Sequence, residues 1–240
     1  MKAGSAHSIE IARVLPLLAR FRASPVYDVL MRLPMLAWSV TLATFAAAQF
    51  LKYEQEVDPM LSDDLYAVNV AMRLAMIAFL VTIAATVVLR GRPRGQARGW
   101  EPRVTALIGT FLIYGVIFLP QRQLPLTAGL VSTILLLAGN AIAIYCLSHL
   151  GCSFSIMPEA RELVTSGVYT YLRHPLYLAE MIGVTGTVMQ FGSVWTALIL
   201  VVQIALQLRR MHNEEIVLTV VFPEYAEYQR RTARVLPGIY

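Results

Sequence analysis

Blocks of apolar residues long enough to cross a lipid bilayer constrain this chain more than any other feature. The longest runs from Leu176 to Leu208, and others span Leu33 to Leu51, Leu65 to Leu89, Val104 to Leu119 and Leu124 to Leu147. A helix needs about 20 residues to cross a hydrocarbon core about 30 Å thick. The longest block exceeds one span and breaks at Gln190-Phe191-Gly192-Ser193, so it reads as a helical hairpin. The fold class expected is all-α: a polytopic transmembrane bundle of about six spans. Composition agrees, because 57% of residues are hydrophobic and 15% charged, against about 45–50% and about 25% in soluble domains.

The charges between the blocks set an expected topology. The N-terminal segment carries Lys2, Arg13, Arg20, Arg22 and Arg32 against Glu10 and Asp28. The first loop carries Glu54, Glu56, Asp58, Asp63 and Asp64 against Lys52, and the second carries Arg90, Arg92, Arg94, Arg98 and Arg103 against Glu101. Basic loops favour the cytoplasmic side. Both termini are therefore expected in the cytoplasm, with Arg209, Arg210, Arg230, Arg231 and Arg234 on the same side. The net charge of +5 then serves topology and anionic lipid rather than nucleic acid. No cleavable signal peptide is evident, since Pro16 interrupts the short apolar stretch of the N-terminal segment. Cys146 and Cys152 are too few for a disulfide framework or a zinc site and read as small packing residues.

The chain divides into residues 1–148, an N-terminal segment with four helices, and residues 149–240. In the second part, Pro158 and the following Glu159-Ala160-Arg161-Glu162-Leu163-Val164 suit a short helix stopped at Gly167. Pro175 opens the fifth helix, and Pro223 to Arg231 reads as a polar amphipathic helix ending before Pro237.

Two polar clusters stand out. Arg173-His174-Pro175-Leu176-Tyr177 sits at the mouth of the fifth helix, where His174, Tyr177 and Met181 share a face. Glu180 follows one turn in, and a carboxylate in an apolar helix needs a reason. Arg209, Arg210, His212, Asn213, Glu214 and Glu215 close the sixth helix. A hairpin brings the start of one helix and the end of the other to the same membrane face. Interfacial anchoring is the plain alternative for such residues. Asn69 and Arg73 fall in the outer part of the second helix, where Arg73 reads as snorkelling outward, with lining of a lipid-facing cavity as the alternative. Asn140, Gln203 and Gln207 read as interhelical hydrogen-bonding groups, and His149 and His212 as loop histidines. No metal cluster is visible. No G-x-G-x-x-G, P-loop, H-E-x-x-H or nucleophile-elbow pattern occurs.

The ordered motifs Leu163-Val164-Thr165-Ser166-Gly167-Val168-Tyr169, Arg173 to Tyr177, Arg210 with Glu214-Glu215-Ile216, and Tyr225, Tyr228, Arg234 and Pro237 resemble the isoprenylcysteine carboxyl methyltransferase family. They also resemble the related phospholipid and thiol methyltransferases of membranes. The resemblance covers about residues 150 to 237. It implies an S-adenosyl-L-methionine pocket facing the cytoplasm, built by the hairpin, the 149–175 loop and the tail helix. Residues implied for the cofactor are Arg161, Leu163, Val164, Tyr169, His174, Pro175, Leu176, Tyr177 and Glu214. Arg210 is implied to face the methyl acceptor, and Arg173, Glu214 and Glu215 complete the catalytic cluster. A guanidinium can grip a carboxylate with two hydrogen bonds. Carboxyl O-methylation of a prenyl or lipid acid is thus the leading expectation, with membrane lipids as surroundings and no nucleic acid partner. N-methylation of a phospholipid, S-methylation of a thiol, an NADPH-dependent membrane reductase of related fold, and a non-enzymatic protein with a decayed site are the rivals.

Overall fold

The computed structural model describes residues 24–56, 63–119 and 124–238. Lys2, Arg13, Arg20, Arg22 and Asp58, used above for topology, lie outside them. The chain is helical: α1 (Pro25–Glu56), α2 (Asp63–Leu89), α3 (Glu101–Phe111) continued by a 3-10 helix Leu112–Phe118, α4 (Leu126–Leu150), α5 (Pro175–Phe191), α6 (Val194–Val221) and α7 (Tyr225–Arg231). A two-stranded antiparallel ribbon joins β1 (Gly95–Gln96) to β2 (Glu159–Ala160). Among the described residues, four helical stretches are long and apolar enough to cross a membrane: Val26–Gln55, Tyr66–Leu89, Thr127–Ser153 and Val194–Val221. Their outward faces carry large apolar side chains such as Phe45, Leu51, Val81, Ile134 and Val201, as a lipid-facing surface requires. The expected third and fifth spans differ in form: one switches from α to 3-10 at Leu112, and the other is a 17-residue helix.

The elements run up and down, so alternate ends meet. Arg32 donates to Asp28 on its own helix and to the carbonyls of Val88 and Arg90 at the end of α2. At the opposite end, the Tyr66 hydroxyl donates to Glu54 across the α1–α2 connection. Gln203 of α6 donates to the carbonyl of Gly109 in α3 at 2.7 Å, which satisfies a carbonyl near the α-to-3-10 switch. Tyr114 and Phe111 then pack edge-on against Trp38 of α1.

The pair α4–α5 packs backbone to backbone. A β-carbon on Gly139 would lie 2.6 Å from the Gly183 nitrogen and 2.9 Å from the Ala179 carbonyl. One on Gly186 would lie 2.8 Å from the Ser132 carbonyl, and the Ser132 hydroxyl donates to the Gly186 carbonyl at 2.8 Å. Small residues replace the hydrophobic effect as the association device where the surroundings are themselves apolar.

The hairpin turn falls where the sequence places it. Gly192 closes α5 in the left-handed region, at φ 51°, which glycine adopts without steric penalty. Ser193 caps α6 reciprocally with Thr196: each backbone N–H donates to the other's hydroxyl, at 3.1 and 3.2 Å.

Two local expectations are corrected. Residues 158–164 form no helix. Arg94 and Ala97 donate backbone N–H groups to the carbonyls of Ala160 and Pro158, so the second loop supplies partners that a helix would have to find within itself. His149 and His212 are helix residues, in the last turn of α4 and within α6. His149 Nδ1 lies 3.0 Å from the Tyr145 carbonyl one turn back, a contact that α-helical geometry provides.

Candidate active site

Proline at the first position of α5 fixes its start and leaves His174 outside the helix. The backbone just before it is free to pair, and the C-terminal tail takes it. Arg173 and His174 donate N–H groups to the carbonyls of Ala233 and Arg234, and Ala233 donates to Tyr171. Tyr228 of α7 donates its hydroxyl to the Tyr169 carbonyl at 2.6 Å. Burial pushes the Tyr228 phenol up to about 12, so it is a neutral donor over the physiological range.

Glu215 of α6 is the hub of this junction. Its carboxylate accepts Arg173 Nε at 3.0 Å and lies 3.1 Å from both His174 Nε2 and Arg234 Nη2. Arg173 Nη1 donates to the carbonyls of Gln229 and Thr232. These buried charges hold the loop, α6 and tail together by mutual pairing, as buried charges must.

A polar pocket of about 440 Å³, counting its open side, lies above this hub. Tyr169, Arg173, His174, Leu176, Tyr177, Arg210 and Glu214 line it, with Glu180 and four residues of the 150–155 segment: Leu150, Ser153, Phe154 and Ser155. The Tyr177 hydroxyl donates to Glu214 at 3.0 Å. Tyr169 is buried, its hydroxyl takes no partner among the described residues, and burial raises its phenol well above the ordinary value. An unmet buried donor on a pocket wall suits a polar ligand.

A second, mostly apolar chamber of about 1400 Å³, again counting open space, lies among α1 to α6. Met35, Trp38, Phe79, Ile83, Leu136 and Val184 form part of its wall. The two cavities share Phe154, Glu180 and Arg210. Gln207 bridges the last two: its amide donates to Glu180 at 2.7 Å and its oxygen accepts Arg210 Nη1 at 2.8 Å. Arg210 also sits over the Tyr177 ring, at 5.1 Å from its centroid. The Arg210 Nε is buried and takes no partner among the described residues, and an unmet guanidinium N–H suits a carboxylate.

Not every residue singled out in the sequence reaches the pocket. Arg161 pairs with Glu159 at 2.6 Å and donates to the Gly91 carbonyl. Burial lowers its affinity for a proton, and the Glu159 carboxylate opposes that effect. Leu163 packs on the cluster of Val217, Phe222, Tyr225 and Tyr228, and Val164 on the opposite core around Leu147 and Tyr169. Pro175 is buried in the helix start, and Glu215 lies behind the wall. Glu180 and Gln207 were visible as polar interruptions of apolar helices, but their pairing across the hairpin was not. Ser153 and Ser155 gave no signal.

Two curated proteins are similar to this chain. The cobalt-zinc-cadmium resistance protein CzcN of Cupriavidus metallidurans is 31% identical over 143 residues, 57% of this chain and 63% of that protein. The nickel-cobalt-cadmium resistance protein NccN of Alcaligenes xylosoxydans xylosoxydans is 35% identical over 82 residues, 34% of this chain and 38% of that protein. The chain thus matches less than two thirds of the length of either. Among solved structures, the eukaryotic intramembrane Ras methyltransferase ICMT aligns over 94% of this chain and 86% of its own, with a TM-score of 0.49 and 14% identity. The model of the isoprenylcysteine carboxyl methyltransferase family matches residues 132–220, from the first turns of α4 to the end of α6. That stretch contains the start of α5, Glu180, Gln207, Arg210, Glu214 and Glu215, so the residues around both cavities lie in the region that matches the isoprenylcysteine carboxyl methyltransferase family.

Proposed function

We propose that the chain uses S-adenosyl-L-methionine to methylate the carboxylate of a lipophilic acid, prenyl-bearing or otherwise lipid-like. The observation that supports this reading best is the meeting of a polar pocket and an apolar chamber at Glu180 and Arg210. A methyltransferase with a lipid substrate needs such a junction, because its two ligands differ in polarity. Tyr169, His174, Leu176, Tyr177 and Glu214 would hold the cofactor, which supplies an electrophilic methyl group when bound. The unmet Tyr169 hydroxyl and the Glu214 carboxylate fit its polar and cationic parts. Arg210 would orient the acceptor through its unmet Nε–H, and alignment of the acceptor oxygen within about 3–3.5 Å of its target would supply most of the rate. Arg173 and Glu215 act as positioning residues, and Arg161, Leu163, Val164 and Pro175 support the walls.

Every residue lining the polar pocket belongs to the 149–240 part. Both parts wall the apolar chamber, Met35, Trp38 and Phe79 from the first and Ala179, Val184 and Phe191 from the second. Six spans with both termini and the polar pocket on the cytoplasmic side belong to the same proposal. α3 and its 3-10 continuation together reach about 30 Å at about 1.5 Å per α and 2 Å per 3-10 residue, enough for the hydrocarbon core.

Transfer of a radiolabelled methyl group from S-adenosyl-L-methionine into a membrane lipid extract, followed by product identification, tests the proposal. A base-labile methyl ester is expected. An N-methyl or S-methyl product would overturn the carboxyl assignment, and absence of any labelled product would overturn the methyltransferase assignment.

A further inference from the structure

Glu180 is one carboxylate more than the proposed reaction needs. It lies one turn into α5, and its side chain is 30% exposed while that of Arg210 is 7% exposed. Both residues line the polar pocket and the apolar chamber, so this exposure opens onto the place where the two ligands would meet. Glu180 Oε2 accepts the Gln207 amide at 2.7 Å and stands 3.8 Å from Arg210 Nη1. No described residue hydrogen-bonds its other oxygen.

We infer that Glu180 is a proton acceptor: the acceptor acid enters the chamber from the bilayer neutral and protonated, and becomes a carboxylate only beside Arg210. The inference rests on the proposed lipid-acid methylation. Its physical basis is the cost of carrying a charge through lipid. Arg210 is already faced by one carboxylate, Glu180. An ionised acid arriving through lipid would have to shed its water while charged. A neutral acid would not. The exchange is balanced: the acid's O–H bond breaks with its electron pair staying on oxygen, and an O–H bond forms on the open oxygen of Glu180. The new carboxylate takes the unmet Nε–H of Arg210, and the total charge of the chamber is unchanged.

The groups around Glu180 agree with this assignment. Gln207, Arg210 and Glu214 face it from α6, Tyr177 from α5, and Tyr114 from the 3-10 helix. Glu214 is the other carboxylate among them. It accepts the Tyr177 hydroxyl and lines the polar pocket only, so Glu180 is the base on the chamber side. A base must lie within hydrogen-bond reach of the proton it takes, and the shared wall provides that.

Difference infrared spectroscopy of the full chain in lipid nanodiscs tests the inference directly. The probe is S-prenylated N-acetylcysteine carrying 13C in its carboxyl group. On adding it, the wild type should show a 13C carboxylate band together with a new 12C protonated-carboxyl band from the protein. In Glu180→Gln the protein band should vanish, and the probe should bind as the neutral 13C acid. Glu180→Asp should restore part of the protein band. In turnover with the same probe, kcat/KM of Glu180→Gln should fall about tenfold per pH unit below the acid's own pKa, while the wild type holds its rate further into acid. A protein carboxyl band that persists in Glu180→Gln, equal ionisation of the probe in both proteins, or no spectral change would overturn the inference. The expected bands without methyl transfer would instead overturn the proposed function and leave the proton exchange standing.

Discussion

At the scale of single residues, Arg210 and Glu214 sit one helical turn apart on α6 and share the polar pocket, but not the apolar chamber. Arg210 reaches both, and Glu214 reaches the polar pocket alone. Arg210→Lys keeps the charge and loses the planar two-point edge. It should cut turnover on a carboxylate acceptor while cofactor affinity stays near wild type. Glu214→Gln keeps the size, loses the charge and weakens the hydrogen bond from Tyr177. A charge-assisted hydrogen bond is worth about 1.5–3 kcal/mol, so cofactor affinity should fall about ten- to hundred-fold by calorimetry. Glu215 predicts a different kind of failure. Removing it by Glu215→Ala strands Arg173, His174 and Arg234, and loss of one partner of a buried charge cluster costs about 3–5 kcal/mol. A clear drop in thermal stability in detergent is expected, and an unchanged melting temperature would show that the hub is not structural. The meeting of these residues was legible in the sequence, because a hairpin returns the end of α6 to the start of α5. Their division between hub and pocket was not. Glu214 and Glu215 are adjacent, and only the helix phase sends one to the pocket and the other behind it.

At the scale of elements, the α4–α5 contact depends on the absence of side chains at Gly139 and Gly186. Gly139→Val would drive a branched side chain into the backbone of α5. Overpacking typically costs about 1–3 kcal/mol, and here backbone rather than a flexible side chain must move. The variant should lose thermal stability and, because α5 carries His174, Tyr177 and Glu180, cofactor affinity as well. Gly91→Ala is the control, since its added carbon meets only an ordinary contact at 3.8 Å. The hairpin turn was readable because Gly192 and Ser193 are local signals for ending one helix and capping the next. The 158–164 segment was misread because its proline and charged residues suit a helix start locally. Its actual partner is the ribbon strand Gly95–Gln96, more than sixty residues away, which no local pattern encodes.

At the scale of the whole molecule, the apolar blocks foretold a helical membrane protein. The apolar chamber was not foretold, because it is a space between helices that are each ordinary in sequence. Single cysteines at Gln55 and Arg94, both exposed, should be labelled by an impermeant reagent from opposite sides of the membrane. Labelling from the same side would contradict the six-span arrangement. The central claim is that the polar pocket is a methyl-donor site opening onto a lipid chamber. Calorimetric titration of the purified full chain with S-adenosyl-L-methionine, and separately with NADPH, tests it most directly. The account predicts saturable binding of S-adenosyl-L-methionine that weakens in Glu214→Gln, and no binding of NADPH. Binding of NADPH alone would contradict it.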